Sequence, residues 1–389
     1  MKVSIFGSYG EHNLGDEAVL DGLLNFLNTE YEASVVVYTH HKIKSAKIHK
    51  YERLHFCNMI ATGLRSLSKQ LVDGSFLKSI KLLKYSDVIV IGGGGIFYEK
   101  EVDQKGMNPI LIWFLRALIF KHLVKKPYIL LGVGVNSLKG YLSKFCMRKI
   151  VKWADSVTVR DKKSFENLIK IDVSKEINIS KDLAWAKDRK VNTEKNNTMQ
   201  IGIQLREVIG LDKVGIKNTI SASIENLIES LDCDIKFFPL SFQGPDDRKI
   251  MRDIIAMTNY QKRISIVDCA SPKRVVEEFS KLDHLITTRF HGIILGLQSG
   301  IVPMVLSYSS KTASLIKDID ISIIDNEIDT FDPFLPCFDI KDVYARDITS
   351  SINYLIKHKK DLQSKLDNYV QETSLELKKD LKNIFKKFN

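Results

Sequence analysis

The chain has 389 residues, 44% of them hydrophobic and 27% charged, the composition of an ordinary soluble globular protein large enough for two cores. Its five cysteines form no CxxC pair and no His–Cys cluster with zinc spacing, which excludes a zinc finger and leads us to expect reduced, mostly buried thiols in a cytoplasmic protein. The formal charge of +11 suggests an anionic partner such as nucleic acid, a membrane surface or a phosphorylated or carboxylated small molecule, but the surplus is uneven, with Ser351 to Asn389 rich in lysine, and it says little about an active site.

Lys2 to Phe6 reads as a short apolar strand, entered with no basic n-region or long apolar h-region, so no export is expected. Gly7 to Gly15 is a loop, and Asp16 to Leu27 has helical spacing through Ala18, Leu20, Leu23, Leu24 and Leu27. The glycines Gly7, Gly10 and Gly15 do not spell GxGxxG, and no dinucleotide fingerprint is supported. Asn13, Asp16 and Glu17 cluster where the helix begins, a place where Asn and Asp cap and acidic groups are favoured, so the cluster needs no function to explain it. Ser34 to Thr39 is a second strand, and a basic, mostly helical stretch poor in chemistry runs on to Lys84. Asp87 to Ile91 is a third strand, buried on both faces, and the four glycines Gly92 to Gly95 leave its end bare for a ligand or another backbone, four in succession favouring a ligand-facing loop.

Ile110 to Val124 is the most apolar stretch, interrupted by Arg116, Lys121 and His122 and shorter than the roughly 18 residues a membrane span needs; a buried helix is expected, with membrane-surface contact as the minor alternative. Strands at Tyr128 to Val135, Ser156 to Val159 and Ile177 to Ser180 follow, the last two ending near Arg160, Asp161 and Asp182. Strand, polar end, helix, repeated, predicts a doubly wound parallel sheet. Lys187 to Thr198, with one apolar residue in twelve, reads as a linker, and from Gln200 a second α/β domain is expected. Its strands are Gln200 to Leu205, Asp234 to Pro239, Ile264 to Val267, His284 to Thr288 and Pro303 to Leu306, alternating with helices around Ser223 to Leu231, Asp246 to Met257 and Pro272 to Lys281.

At Arg289, Phe290, His291 and Gly292 a strand passes directly into a helix, Ile293 to Gln298, which puts the junction at the carboxyl edge of a parallel sheet. A fixed cation, a group titrating near neutrality and free helix N–H groups suit an anion that must also exchange a proton. The alternative is an Arg and a His that only cap the helix. Arg206, at the end of the first strand of this domain, points to the same edge or is a surface arginine. From Ile352 a lysine-rich amphipathic helix closes the chain, more in keeping with a solvated outer face than with a binder, and no RNP-like or aromatic-interleaved basic motif supports nucleic acid as partner.

Taken in order over Lys2 to about Lys311, NLGDE (Asn13 to Glu17), IGGGG, VRDKKS (Val159 to Ser164), Asp182, Arg206 and TRFHG with GIVPMVLSY and Lys311 resemble the polysaccharide pyruvyl transferase family, with Phe290 where some members carry Leu. The resemblance implies two Rossmann-like doubly wound domains facing each other in a GT-B-like arrangement: residues 1–186 on the acceptor side, a linker at 187–199, residues 200–350 on the phosphoenolpyruvate side, and a basic helical segment at 351–389. It implies transfer of the enolpyruvyl unit of phosphoenolpyruvate to a sugar, or a lipid-linked oligosaccharide, as a cyclic ketal in exopolysaccharide synthesis. On this reading His291 is the general acid/base, Arg206 and Arg289 clamp the donor, and Phe290 and His291 line its site. Asn13, Gly15, Asp16, Gly93, Gly94, Arg160 and Asp182 form acceptor-side or structural loops. No cofactor or metal is required, and a cytoplasmic enzyme at the inner face of the cell membrane is expected. Two other readings compete: a GT-B glycosyltransferase using a nucleotide sugar, and a non-catalytic peripheral membrane scaffold built on the basic helix and Ile110 to Val124.

Overall fold

A computed structural model of the protein describes residues 1–100, 106–187, 197–206, 213–242, 246–308, 312, 315, 316, 319 and 335–389. Most of the linker expected at 187–199, and Lys311, lie outside the described residues. The chain forms two compact units: residues 1–11, 19–187 and 375–389 make the first, residues 12–18 and 188–374 the second.

The first unit holds a sheet of seven parallel strands: β1 (Lys2–Phe6), β2 (Ser34–Thr39), β3 (Leu54–Asn58), β4 (Val88–Gly92), β5 (Tyr128–Val133), β6 (Ser156–Val159) and β7 (Asn178–Ile179), in the order β3-β2-β1-β4-β5-β6-β7. Helices α1 (Leu14–Tyr31), α2 (Lys42–Ile48), α3 (Leu64–Val72), α4 (Ser75–Lys84), α5 (Pro109–Leu118), α6 (Tyr141–Trp153) and α7 (Lys162–Ile169) alternate with the strands. The central strands carry uninterrupted apolar runs, VIVI in β4 and YILL in β5, because crossover helices cover both faces of a parallel sheet. In the core Phe6 stacks on Tyr38, with ring centroids 4.3 Å apart, and Phe120 tilts against Phe6 at 4.8 Å.

The stretch Ile110 to Val124 is helical as expected, with Ile110, Trp113, Arg116, Ala117, Phe120 and Val124 buried and Lys121, His122 and Leu123 exposed. Asn108 caps it by accepting the Ile110 N–H at 3.0 Å, a π-turn at Ile119–Val124 ends it, and Ile110 to Phe120 contains no exposed residue. Arg116 is drawn into this core, its guanidinium 4.8 Å from the Trp113 ring centre and directed at the Ile60 carbonyl. Among the described residues no helix is long and apolar enough to cross a membrane.

The second unit repeats the plan with six parallel strands, β8 (Gln200–Gln204), β9 (Asp234–Phe237), β10 (Ile264–Ile266), β11 (His284–Thr287), β12 (Pro303–Ser307) and β13 (Cys337–Asp339), ordered β10-β9-β8-β11-β12-β13. Its helices include α8 (Lys213–Leu231), α9 (Asp247–Met257), α10 (Pro272–Phe279) and α11 (Phe290–Gln298). Both sheets therefore show the doubly wound Rossmann order, reversing direction at β1/β4 and at β8/β11. Two strands escaped sequence reading, β3 and β13. Both are outer-edge strands with half-exposed side chains and no continuous apolar run. The closing segment is two helices, Ala345–Lys357 and Lys359–Phe385. The longer one buries Leu362, Leu366, Tyr369, Val370, Leu377, Leu381 and Phe385, and in the first unit Phe385 packs on Phe26 and Tyr31 while Lys382 pairs with Glu30 at 2.7 Å. That helix buries one apolar face and keeps Lys359, Lys360, Lys365, Lys379 and Lys382 exposed.

A buried polar knot ties α1 to the rest of the first unit. The Asp21 carboxylate receives the Tyr51 hydroxyl at 3.0 Å, faces His49 Nδ1 at 3.5 Å and binds the Lys187 ammonium. Burial pushes the Asp21 carboxyl up, but His49 and Lys187 outweigh it and hold it down at about 2. A folded pKa below the unfolded one contributes stability above the unfolded value of about 3.9, lost as pH falls toward the folded value. We expect Asp21→Asn to cost about 2 kcal/mol at neutral pH, with the gap from wild type closing between about pH 4 and pH 2, as read by urea unfolding across that range.

Candidate active site

The second sheet reverses its winding between β8 and β11, and a crevice outside the carboxyl ends of two such strands is where open α/β sheets hold ligands. The strand ends here are stitched by Gln204, paired in register with Thr287. Its side-chain oxygen accepts the Thr287 hydroxyl and the Arg289 backbone N–H, each at 2.9 Å, and its carbonyl accepts the Thr288 N–H at 3.0 Å. Arg289 thus stands as N-cap of α11 with extended backbone, and Phe290 and His291 form the first helical turn. Gly292 must be glycine, because a Cβ there would come within 2.1 Å of Thr287 Oγ1.

Arg206 lies two residues past β8. Its Nη1 donates to the Tyr308 hydroxyl at 2.8 Å and its guanidinium sits 5.2 Å from that ring's centre. Tyr308 directly follows β12, so the arginine reaches along the carboxyl edge of the sheet. Among the described residues no carboxylate pairs with Arg206. Tyr308 went unassigned in the sequence reading; its place in GIVPMVLSY, one step beyond a strand, was the available signal.

Arg289 is held differently. Asp247, the first residue of α9, is completely buried and takes Arg289 Nε at 2.9 Å and Nη2 at 2.5 Å in a bidentate pair. The same carboxylate accepts the N–H groups of Leu240 at 3.1 Å and Ser241 at 3.0 Å. Burial pushes the Asp247 carboxyl up, while Arg289 and the two N–H groups pull against it. Sequence reading missed Asp247, since one acid among the several of FQGPDDRKIMRD carries no distinguishing mark.

The held segment continues the network. Ser241 bridges Asn13 in antiparallel fashion, Leu14 N–H donates to the Leu240 carbonyl at 2.9 Å, and Phe242 N–H donates to the His12 carbonyl at 3.0 Å. Asn13 closes the first turn of α1: its side-chain oxygen accepts Gly15 N–H at 3.0 Å, its amide donates to Asp16 at 2.8 Å, and its carbonyl accepts Glu17 N–H at 3.2 Å. Gly15 then lies on the His291 ring, where a Cβ would fall 2.3 Å from Nδ1. Asn13, Gly15, Asp16, Arg206, Arg289, Phe290 and His291 accordingly all belong to the second unit.

Gly93, Gly94, Arg160 and Asp182 belong to the first. Gly93 and Gly94 adopt φ of 69° and 76°, and a Cβ on Gly93 would strike Val19. Gly134 passes so close to this loop that its N–H binds the Gly94 carbonyl at 2.8 Å, and a Cβ on Gly134 would be 3.1 Å from Arg160 Nε. Arg160 is nearly buried between Asp161 at 3.5 Å and Asp182 at 3.3 Å, and these two aspartates cap α7 and the turn Leu183–Ala186. Close packing against the Val19 side chain therefore accounts for Gly93, and close approach to the Gly94–Gly95 backbone for Gly134.

The family model for polysaccharide pyruvyl transferase matches residues 13–310, more than half of the chain. Searched against curated proteins, the sequence finds no match. Among solved structures, the chain resembles Anabaena HepE in complex with UDP and glucose (TM-score 0.62, 11% identity, 100% of both chains). It also resembles UDP-GlcNAc 2-epimerase from Neisseria meningitidis bound to UDP-GlcNAc (0.59, 13%, 100% of both chains) and a glycosyltransferase from Rickettsia africae (0.58, 12%, 100% of this chain and 98% of that one). At these identities the likeness is one of fold, an α/β fold of the GT-B type.

The supports of the two arginines differ in what they contribute to stability. Asp247→Ala strands the Arg289 charge and should destabilise the protein by about 3 kcal/mol in chemical denaturation. Arg206→Ala removes a half-exposed cation held by one tyrosine and should shift stability by no more than about 0.5 kcal/mol.

Proposed function

The chain belongs to the polysaccharide pyruvyl transferase family, and on that premise we propose that it moves the enolpyruvyl unit of phosphoenolpyruvate onto two hydroxyls of a saccharide as a cyclic ketal, releasing phosphate. The observation that carries the donor assignment is Arg206, a cation with no carboxylate partner among the described residues, at the same sheet edge as Arg289 and His291. Phosphoenolpyruvate presents a carboxylate and a phosphate, and planar guanidinium groups bind either one bidentately. Arg206, supported by Tyr308, offers its remaining N–H groups; Arg289, with one side committed to Asp247, offers its own in a fixed direction.

His291 is the proposed acid that protonates the methylene carbon of the donor. The C2 centre then carries oxocarbenium character and is attacked by one saccharide hydroxyl, whose proton returns to His291. The C2–O bond to phosphate breaks, and the second hydroxyl closes the ring, its proton leaving with phosphate or solvent. Gly15 packs on His291, so the Asn13 to Asp16 loop is assigned here to holding the histidine rather than to the acceptor. The acceptor side is assigned to the loops of the first unit, with Gly93, Gly94, Arg160 and Asp182 shaping them from beneath, and the acceptor to a saccharide that is free or lipid-linked.

The fold likeness to nucleotide-sugar enzymes supports a second reading, a transferase of sugars from a nucleotide donor. Thermal unfolding with each donor separates the two. At about 100 times its dissociation constant phosphoenolpyruvate should stabilise the wild type by about 2.7 kcal/mol, and Arg206→Ala or Arg289→Lys should lose most of that gain. Protection by UDP-GlcNAc alone would sink the pyruvyl reading. In phosphate-release assays His291→Ala should lower kcat by about 10²- to 10⁴-fold. Gly15→Ala, which displaces the ring without touching Arg206 or Arg289, should lower kcat by about 10²-fold.

A further inference from the structure

The first unit carries a surface that the transferase reading leaves unused. Helices α3 and α4 form a hairpin turned by Asp73 and Gly74; Gly74 adopts φ 72°, and Asp73 accepts the Ser75 N–H at 2.9 Å. Helix α3 buries none of its nine residues, although its sequence is amphipathic, with Leu64, Leu67 and Leu71 on one face. Leu64 is 88% exposed, Val72 90% and Leu77 66%, and Leu71 and Tyr85 stand half or more in water. Helix α4 anchors the hairpin through Ile80 and Leu83, while Leu77, Lys81 and Lys84 share its outer face.

The charges around these apolar groups have one sign. From Leu64 to Tyr85 there are five basic residues, Arg65, Lys69, Lys78, Lys81 and Lys84, all exposed, against a single acid, Asp73. Among the described residues none of the five is in an ion pair. A soluble protein rarely leaves so many apolar side chains grouped in water without a partner. Exposed leucine and valine between unpaired cations match an anionic bilayer, whose headgroups take the cations and whose acyl boundary takes the apolar tips. A second copy would bring one basic face against another, and a nucleic acid would leave the leucines in water.

We propose that the α3–α4 hairpin is a docking face for an anionic phospholipid membrane, with Leu64, Val72 and Leu77 entering the interface and the five basic residues holding it there. The proposal suits a lipid-linked acceptor, but it stands on this surface alone and is tested without donor or acceptor. Flotation of the full chain should show binding to mixed phosphatidylcholine–phosphatidylglycerol vesicles, weakened by salt, and none to phosphatidylcholine alone. Leu64→Ser with Val72→Ser, and separately Lys78→Glu with Lys81→Glu, should each reduce the bound fraction about 10-fold with an unchanged unfolding midpoint, since all four side chains are exposed. Lys378→Glu with Lys379→Glu on the closing helix should bind as wild type does. The proposal is overturned if the wild type stays unbound with anionic vesicles, or if the Leu64→Ser, Val72→Ser protein floats as well as wild type. It also falls if sedimentation shows a wild-type dimer that this double substitution dissolves, which would make a second copy the occupant.

Discussion

The buried carboxylate of Asp247 is the constraint on which the candidate site depends. Its two oxygens take four donors, two from Arg289 and one each from Leu240 and Ser241, so one residue fixes both a site cation and the segment that carries residues 12–14. A carboxylate without solvent is costly unless its lone pairs are filled, and here they are filled by groups that have to be positioned. From that anchor the order passes through the Asn13 turn to Gly15, and from Gly15 to the ring of His291. The NLGDE motif therefore begins packed beside TRFHG, far along the chain from it.

The two sheets share one winding order but use their switch points differently. In the second unit the strand ends at β8 and β11 present Arg206, Arg289 and His291, groups with chemistry to offer an anion. In the first, the glycine ends of β4 and β5 run against each other and against Arg160, whose charge is taken by Asp161 and Asp182. Glycine runs at parallel strand ends serve close backbone packing as readily as ligand approach, and the distances from Gly134 to Gly94 and Gly95 belong to the first case.

Cations that look alike in sequence fall into three physical kinds. Arg206 reaches along a sheet edge with a tyrosine as its support, Arg289 is committed to a buried acid, and Arg116 is folded into an apolar core against Trp113. The lysines of the closing helix surround a buried apolar seam, whereas those of α3 and α4 surround leucines in water. Net charge counts all of these equally, and only the environment of each separates a clamp from a brace or a docking face.

Read alone, the amino-acid order determined the doubly wound architecture, the family, and the residues of the strand-to-helix junction at Arg289 to Gly292. Long apolar strand runs, their polar ends and helical spacing are local properties, and they survive without knowledge of neighbours. It left out β3 and β13, because edge strands are short and half exposed and carry no apolar run to mark them. Only the tertiary structure decided that Asp247 rather than Asp246 meets Arg289, that Tyr308 supports Arg206, that Gly15 rests on His291, and that α3 leaves Leu64 and Leu71 in water. Each of these is a contact, or a missing contact, between segments far apart in the chain, and an acid, a tyrosine or an amphipathic helix has the same local sequence whether its partner is present or not.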